Sequence, residues 1–327
     1  MLERLRSELR KTLERYCTEP EHREAMQRAL ARPGFALHPG SRCRAGMLAL
    51  ESCAAVSGSK GEAAVQAALA VELYMEAAFM FDNVADQDSD QDGGLSPAEE
   101  LALGLTLMSC GAATACEAVR LSARRDSNLG ALLRFHTNCV NASAGQFLDA
   151  CLEKSDCVAI DKALKMTLLK SGSLGRLAAG FGASLGTDDP KLISLCEDFG
   201  FSLLAYLQLV DDLRDACPAT DRKADLLRGK KTVPAVVFRN SLLPDMRPEG
   251  ECGIMQPPEG SGVGTGLRRS FDASGAWASG AVLAEIFLNR ARNALADLEV
   301  RLERRLGALE HLVASIEFNP QELLAVA

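Results

Sequence analysis

Apolar residues recur at i, i+3 and i+4 through almost the whole chain, and Ala, Leu, Glu and Arg dominate the periodic stretches, which predicts amphipathic α-helices. No convincing run of alternating β-branched residues predicts a strand. Breaks fall at Pro33 and Gly34, Pro39 and Gly40, Gly58 to Gly61, Asp88 to Pro97, Asp126 to Asn128, Gly186 to Pro190, and Cys217 with Pro218. A longer Pro- and Gly-rich stretch runs over residues 243–275 and reads as a flexible loop or lid. These breaks divide the chain into about ten helices. No composition shift marks a boundary and no period repeats, so the expectation is all-α, a single large helical bundle over residues 1–327.

The most apolar segment, residues 64–81, is interrupted by Glu72 and Glu76, and no stretch reads as the ~20 uncharged apolar residues a membrane span needs. The N-terminal MLERLRSELRKTLERY is amphipathic with no apolar core, so it is not a secretory signal. A cytoplasmic enzyme with no transmembrane segment is expected. The net charge of -8 argues against nucleic acid as a partner, because phosphate neutralisation needs a basic face. An acidic protein still binds an anion where metal ions and a few local lysines supply the charge. The 11 cysteines include no CxxC pair and only four histidines accompany them, so they read as reduced, small apolar residues rather than zinc ligands or disulfides. No GxGxxG follows a strand and no Walker lysine loop is present.

Two aspartate clusters carry the candidate chemistry. Asp82 and Asp86 in FDNVAD are four apart and share one helix face, as do Asp211 and Asp215 in LVDDLRD, with Asp212 alongside. Each cluster follows a strongly apolar helix, where a solvated acidic face has no reason to sit. Like charges at this spacing repel by a few tenths of a kcal/mol, so a cation should offset them. Hard oxygen ligands suit Mg²⁺, which binds through carboxylates and substrate phosphates. The plain alternative is two ordinary acidic helix ends.

From about residue 40 to 240 the sequence resembles the trans-isoprenyl diphosphate synthase (polyprenyl synthetase) family. The strongest block runs from Gly200 and Phe201 through Gln208 and Asp211-Asp212-Leu213-Arg214-Asp215, then Asp225 to Gly229, Lys230-Lys231-Thr232 and Pro234. Gly145-Gln146 with Asp149, and Lys170-Ser171-Gly172, support it. The resemblance implies an isoprenoid-synthase bundle with a central cavity, and a homodimer. It implies that Asp82, Asp86, Asp211, Asp212 and Asp215 hold Mg²⁺, three ions with the diphosphate. It also implies that Lys170, Lys230 and Lys223 contact an allylic prenyl diphosphate and that Gln208 sits beside the reacting centre.

Chain-elongating members of that family bind isopentenyl diphosphate with a Gly-Gly-Lys-Arg-x-Arg-Pro stretch, a His seven residues before the first Asp, and an Arg-Arg pair after the first motif. Here the stretch reads Gly40-Ser41-Arg42-Cys43-Arg44, the His position is Met75, and an acidic DQDSDQDGG replaces the arginine pair. Arg42 and Arg44 survive as diphosphate-binding candidates, and Asn83 replaces the middle Asp of the first motif. These departures favour an enzyme that ionises one allylic diphosphate and cyclises it, or passes it to another acceptor, in the manner of a terpene synthase. The alternatives are a chain-elongating synthase and a regulatory, non-catalytic homologue. In the family, bulky residues four and five before the first Asp block chain growth, so the resemblance implies that the small Ala77 and Ala78 leave a deep pocket for a chain of roughly 15 to 25 carbons.

Residues 88–99 also fit a calcium-loop pattern: Asp88, Asp90, Asp92, Ser96 and Glu99 as oxygen ligands and Gly93 at the turn. The competing reading is an acidic loop ending in a capping box, with Ser96 as N-cap, Pro97 at the first helical position and Glu99 reaching back.

Overall fold

The computed structural model describes residues 1–86, 95–122, 128–216, 225–241 and 270–316. All regular structure among these residues is helical. The helices are α1 (Leu2–Tyr16), α2 (Pro20–Leu30), α3 (Arg44–Ser57), α4 (Glu62–Ala85), α5 (Pro97–Leu121), α6 (Asn128–Glu153), α7 (Ile160–Thr167), α8 (Ser173–Gly186), α9 (Pro190–Ala216), α10 (Asp225–Arg228), α11 (Val233–Ser241), α12 (Ala276–Leu302) and α13 (Gly307–Ala314). A π-helical turn, Leu168–Gly172, joins α7 to α8. Starts follow local chemistry. Pro20 opens α2, Ser96 caps α5 ahead of Pro97, and the Asp189 carboxylate accepts the amides of Lys191 and Leu192 at the head of α9.

The chain groups into two compact units. The first comprises Met1–Cys139, Leu174–Gly200 and Ala294–Glu310. Its central rod is α4, buried on nearly all sides from Ala64 to Met80 and packed against α1, α3 and α5. Close approach is bought with small residues: a Cβ on Gly182 of α8 would lie 2.1 Å from the Ala49 carbonyl of α3, and one on Gly104 of α5 would lie 2.7 Å from the Phe81 ring. Among aromatic contacts, Phe135 meets Tyr74 and Phe181 edge-on. One buried ion pair ties the layers, Arg32 to Glu100 at 2.6 Å.

The second unit comprises Val140–Ser173, Phe201–Asn293 and His311–Ala327. Within it α11 packs on α7, and Ala216, Leu226, Ala235, Phe238, Phe271 and Ala276 form a buried cluster. Most of the predicted 243–275 loop lies outside the described residues; its end includes a helical turn through residue 273.

By length and composition, α4, α5 and α9 are each apolar enough to cross a membrane. Glu72 and Glu76 do not disqualify α4, because both carboxylates are buried as hydrogen-bond acceptors, Glu72 from the Gly46 amide and Glu76 from the Ala36 amide. The apolar length of α4 serves the interior: 78% of its most apolar stretch is buried within the protein.

Candidate active site

In the second unit the site grows from the C-terminal turns of α9. Asp211 and Asp215 are exposed, whereas Asp212, one step round the helix, is 4% exposed. Gln208, one turn earlier, donates to Asp212 Oδ1 at 2.8 Å and accepts from the Ser171 hydroxyl at 2.7 Å. The other carboxylate oxygen, Asp212 Oδ2, is buried with no hydrogen-bond partner among the described residues. Burial, reinforced by Asp225 and Asp211, pushes the Asp212 carboxyl up to about 8, against the opposing pull of Gln208 and Lys170. Asp225 is pushed up to about 6, by burial first and by Asp215 next.

Lys170 lies on the π-helical turn, a distortion common at functional sites. Its Nζ is 3.1 Å from Asp149 of α6. This turn and α6 touch backbone to backbone, since a Cβ on Gly145 would stand 2.2 Å from the Lys170 amide nitrogen. Gly172 leaves equivalent room for the Phe201 ring, 2.7 Å from its virtual Cβ. Lys230 is buried and reaches Glu153 at 2.7 Å. It follows Gly229, whose φ of +79° suits glycine, and its amide closes onto the Asp225 carbonyl at 3.0 Å. Lys223 lies outside the described residues.

In the first unit, Asp82 and Asp86 occupy the last turn and the C-cap of α4, the Asp86 amide donating to the Asp82 carbonyl at 2.8 Å. The last turn carries no basic residue, and the helix dipole places partial negative charge there. Arg42 and Arg44 are exposed at the entry to α3, and neither guanidinium has an ion-pair partner among the described residues. Met75 is partly buried on α4, Ala77 fully so.

The donor set fits a hard divalent cation. An orphaned, buried carboxylate oxygen beside exposed carboxylates is a vacancy in hydrogen bonding that a metal fills. Among the described residues no three His, Cys, Asp or Glu side chains come together as a group that could hold a metal ion. Of the proposed calcium loop, Asp88, Asp90, Asp92 and Gly93 lie outside the described residues. Ser96 and Glu99 form the capping box, with the Ser96 amide 2.8 Å from Glu99 Oε2 and the Glu99 amide 3.3 Å from Ser96 Oγ. Asp149, Glu153 and Asp225, the acids that hold the lysines and press on Asp212, had no assigned role in the sequence. Asp149 and Asp225 stood inside the family-like blocks, which was the available signal; Glu153 offered none.

The polyprenyl synthetase family model matches residues 28–247, and the chain belongs to that family. A curated relative, the short chain isoprenyl diphosphate synthase of Methanothermobacter thermautotrophicus, is 29% identical over 198 residues, 58% of this chain and 60% of the relative. The match therefore spans less than two thirds of that relative's length. Among solved structures, a polyprenyl synthetase from Streptomyces coelicolor superposes with a TM-score of 0.76 at 23% identity, covering 95% of this chain and 98% of that one. A polyprenyl synthase from Caulobacter crescentus, solved with calcium and isoprenyl diphosphate, gives 0.69 at 18% identity, covering 96% of each chain. These likenesses establish the all-α isoprenoid-synthase fold.

Proposed function

We propose that the chain is a divalent-metal-dependent prenyltransferase that couples isopentenyl diphosphate to an allylic prenyl diphosphate. The observation that carries the allylic half is Asp212 Oδ2, buried and unpartnered below exposed Asp211 and Asp215 and within the field of Lys170. The relative named a short chain isoprenyl diphosphate synthase supports elongation. So do Arg42 and Arg44, exposed and free of ion pairs among the described residues.

Asp211, Asp212 and Asp215 would hold metal in the second unit, and Asp82 and Asp86 in the first. When bound, the metal supplies Lewis-acid neutralisation of the departing diphosphate. Lys170 and Lys230 bind its oxygens, each exchanging its present carboxylate partner for phosphate; Lys223 is a further candidate. Gln208 keeps Asp212 oriented by occupying Oδ1 and leaves Oδ2 to the metal. The allylic carbon–oxygen bond breaks, a carbon–carbon bond forms to the isopentenyl double bond, and one proton leaves. Ala77 and Ala78, with no bulk at those positions, suit a chain of roughly 15 to 25 carbons. The exposed apolar run Leu101, Leu105 and Met108 on α5 supports a homodimer.

A second reading, cyclisation of one allylic diphosphate, draws on a specific observation: Met75 and Ser41 stand where elongating relatives carry His and Lys. One experiment separates the two. The purified protein is incubated with Mg²⁺ and geranyl, farnesyl, geranylgeranyl or geranylfarnesyl diphosphate, with and without isopentenyl diphosphate. Longer diphosphates formed only with isopentenyl diphosphate are expected. Hydrocarbon or alcohol from the allylic substrate alone replaces elongation with cyclisation. No turnover under any condition returns the non-catalytic alternative.

A further inference from the structure

Ahead of the two exposed arginines the chain makes a run of turns and bends from Ala36 to Gly40, outside any helix. Carbonyls between Ala36 and Ser41 converge on one side chain from α1. Arg6 is buried, with an 8% exposed side chain. Its Nε donates to the Ala36 carbonyl at 3.3 Å, and its Nη2 to the carbonyls of His38, Pro39 and Ser41 at 3.0, 3.1 and 2.6 Å. Nη1 is held by Glu3 at 2.6 Å. Four carbonyls of one short segment thus depend on a single planar fork, which a lysine's point charge cannot reproduce.

Acceptors from α4 also hold the segment. Glu76 takes the Ala36 amide, and Glu72 takes the Gly46 amide at 2.8 Å, inside the first turn of α3. The Cys43 thiol lies 3.7 Å from the Ala36 carbonyl. Cys43 itself has a φ of +44°, a left-handed conformation that a side chain with a β-carbon keeps only where its surroundings over-determine it. One cation and two carboxylates therefore hold the backbone of residues 36–46, the stretch that carries the exposed Arg42 and Arg44. Ser41, whose carbonyl makes the shortest of the contacts to Nη2, directly precedes Arg42.

We propose that Arg6, outside every family-like block of the sequence, is a positioning residue: it fixes the 36–43 segment so that Arg42 and Arg44 are presented together to the diphosphate of isopentenyl diphosphate. The ligand in this proposal rests on the elongation reading; the placement rests on the contacts above.

The test compares Arg6→Lys and Arg6→Met with Arg10→Met, an exposed position on the same helix, in the full chain with Mg²⁺ and farnesyl diphosphate. Both Arg6 variants are expected to raise KM for isopentenyl diphosphate tenfold or more. KM for farnesyl diphosphate should stay within twofold and kcat within threefold, and Arg10→Met should match wild type. A purely structural role would raise both KM values and lower kcat together, and that result overturns the proposal, as does an unshifted KM for isopentenyl diphosphate. Should either Arg6 variant fail to fold, wild-type hydrogen exchange decides. Amides of residues 36–47 gain protection when isopentenyl diphosphate alone is added, and no change there overturns the proposal. If wild type never consumes isopentenyl diphosphate, the elongation reading fails and this one falls with it. Consumption with unshifted KM in both Arg6 variants removes this proposal alone.

Discussion

Replacing Gly145 by Ala tests whether the approach of α6 to the π-helical turn is what places Lys170. The added methyl carbon would sit 2.2 Å from the Lys170 nitrogen and 2.6 Å from both the Leu169 carbonyl carbon and the Lys170 Cα, where ordinary contact begins at 3.4 Å. All three atoms are backbone, so no side chain can swing away. The two segments must part by about 1 Å, or one must bend. Overpacking of a well-filled interior costs ~1–3 kcal/mol, and a clash against backbone belongs at the top of that range. Exchanging Gly for Ala in a helix returns ~1 kcal/mol. The net expectation is a loss of about 2 kcal/mol.

Gly130, on the same helix, is the matched control, because its virtual Cβ meets nothing within 4 Å. There the substitution keeps only the helix-propensity gain, up to ~1 kcal/mol. Activity separates the two positions further. Lys170 holds Asp149 at 3.1 Å, and a displacement of ~1 Å at a substrate-binding group costs about a hundredfold in rate. The assay is urea unfolding of both variants, with kcat/KM for prenyl transfer. Gly145→Ala as stable and as active as Gly130→Ala would refute the packing argument. A destabilised Gly145→Ala with full activity would leave the packing intact and remove Lys170 from the site.

Two further predictions concern buried charge. The Asp212 carboxyl is raised to about 8 from an ordinary value near 3.8, so its contribution to stability is full below pH ~4, declines across the window up to ~8 and is gone above it. Each pH unit inside that window costs about 1.4 kcal/mol. Asp212→Asn, measured without metal, should therefore gain stability over wild type steadily from pH 5 to 8; a difference independent of pH contradicts the assignment. Arg32→Met leaves the fully buried Glu100 unpaired and should cost ~3–5 kcal/mol in urea unfolding, most of it recovered in Arg32→Met/Glu100→Met; an unrecovered double variant would show that Arg32 acts through packing on Phe35 instead.

The helices were legible because amphipathic periodicity is a local property. The 3.6-residue repeat marks α4, and Ser96-Pro97 marks the start of α5, whatever surrounds them. The same locality does not show where Glu72 and Glu76 find their partners. Their partners, the amides of Gly46 and Ala36, lie 26 and 40 positions away, and only the fold brings them near. In the candidate site, spacing showed that Asp211 and Asp215 share a face, and it does not distinguish their exposed carboxylates from the buried Asp212. The π-helical turn under Lys170 carries no composition signal, and its close neighbour Gly145 lies 25 positions earlier in the chain. Arg6 was invisible for the same reason: its work is done on carbonyls 30 to 35 residues away, and carbonyls have no sequence.

On the proposed function, the charge balance of the site bears on how an acidic chain would take an anionic substrate, and on why metal would come with it. Asp149, Glu153, Asp211, Asp212, Asp215 and Asp225 face Lys170, Lys230, Arg214 and Arg228 among the described residues, and each of those lysines already rests on a carboxylate. The raised carboxyls of Asp212 and Asp225 register that surplus of negative charge together with burial. A bare diphosphate approaching such a site meets the wrong sign. A divalent cation held by Asp211, Asp212 and Asp215 would supply the opposite sign, and phosphate oxygens could then compete with Asp149 and Glu153 for Lys170 and Lys230. Metal affinity should consequently climb with pH up to about 8, where Asp212 is already ionised. The lysines are stored on carboxylates rather than left to water, so the cost of reordering their long side chains is met before substrate arrives.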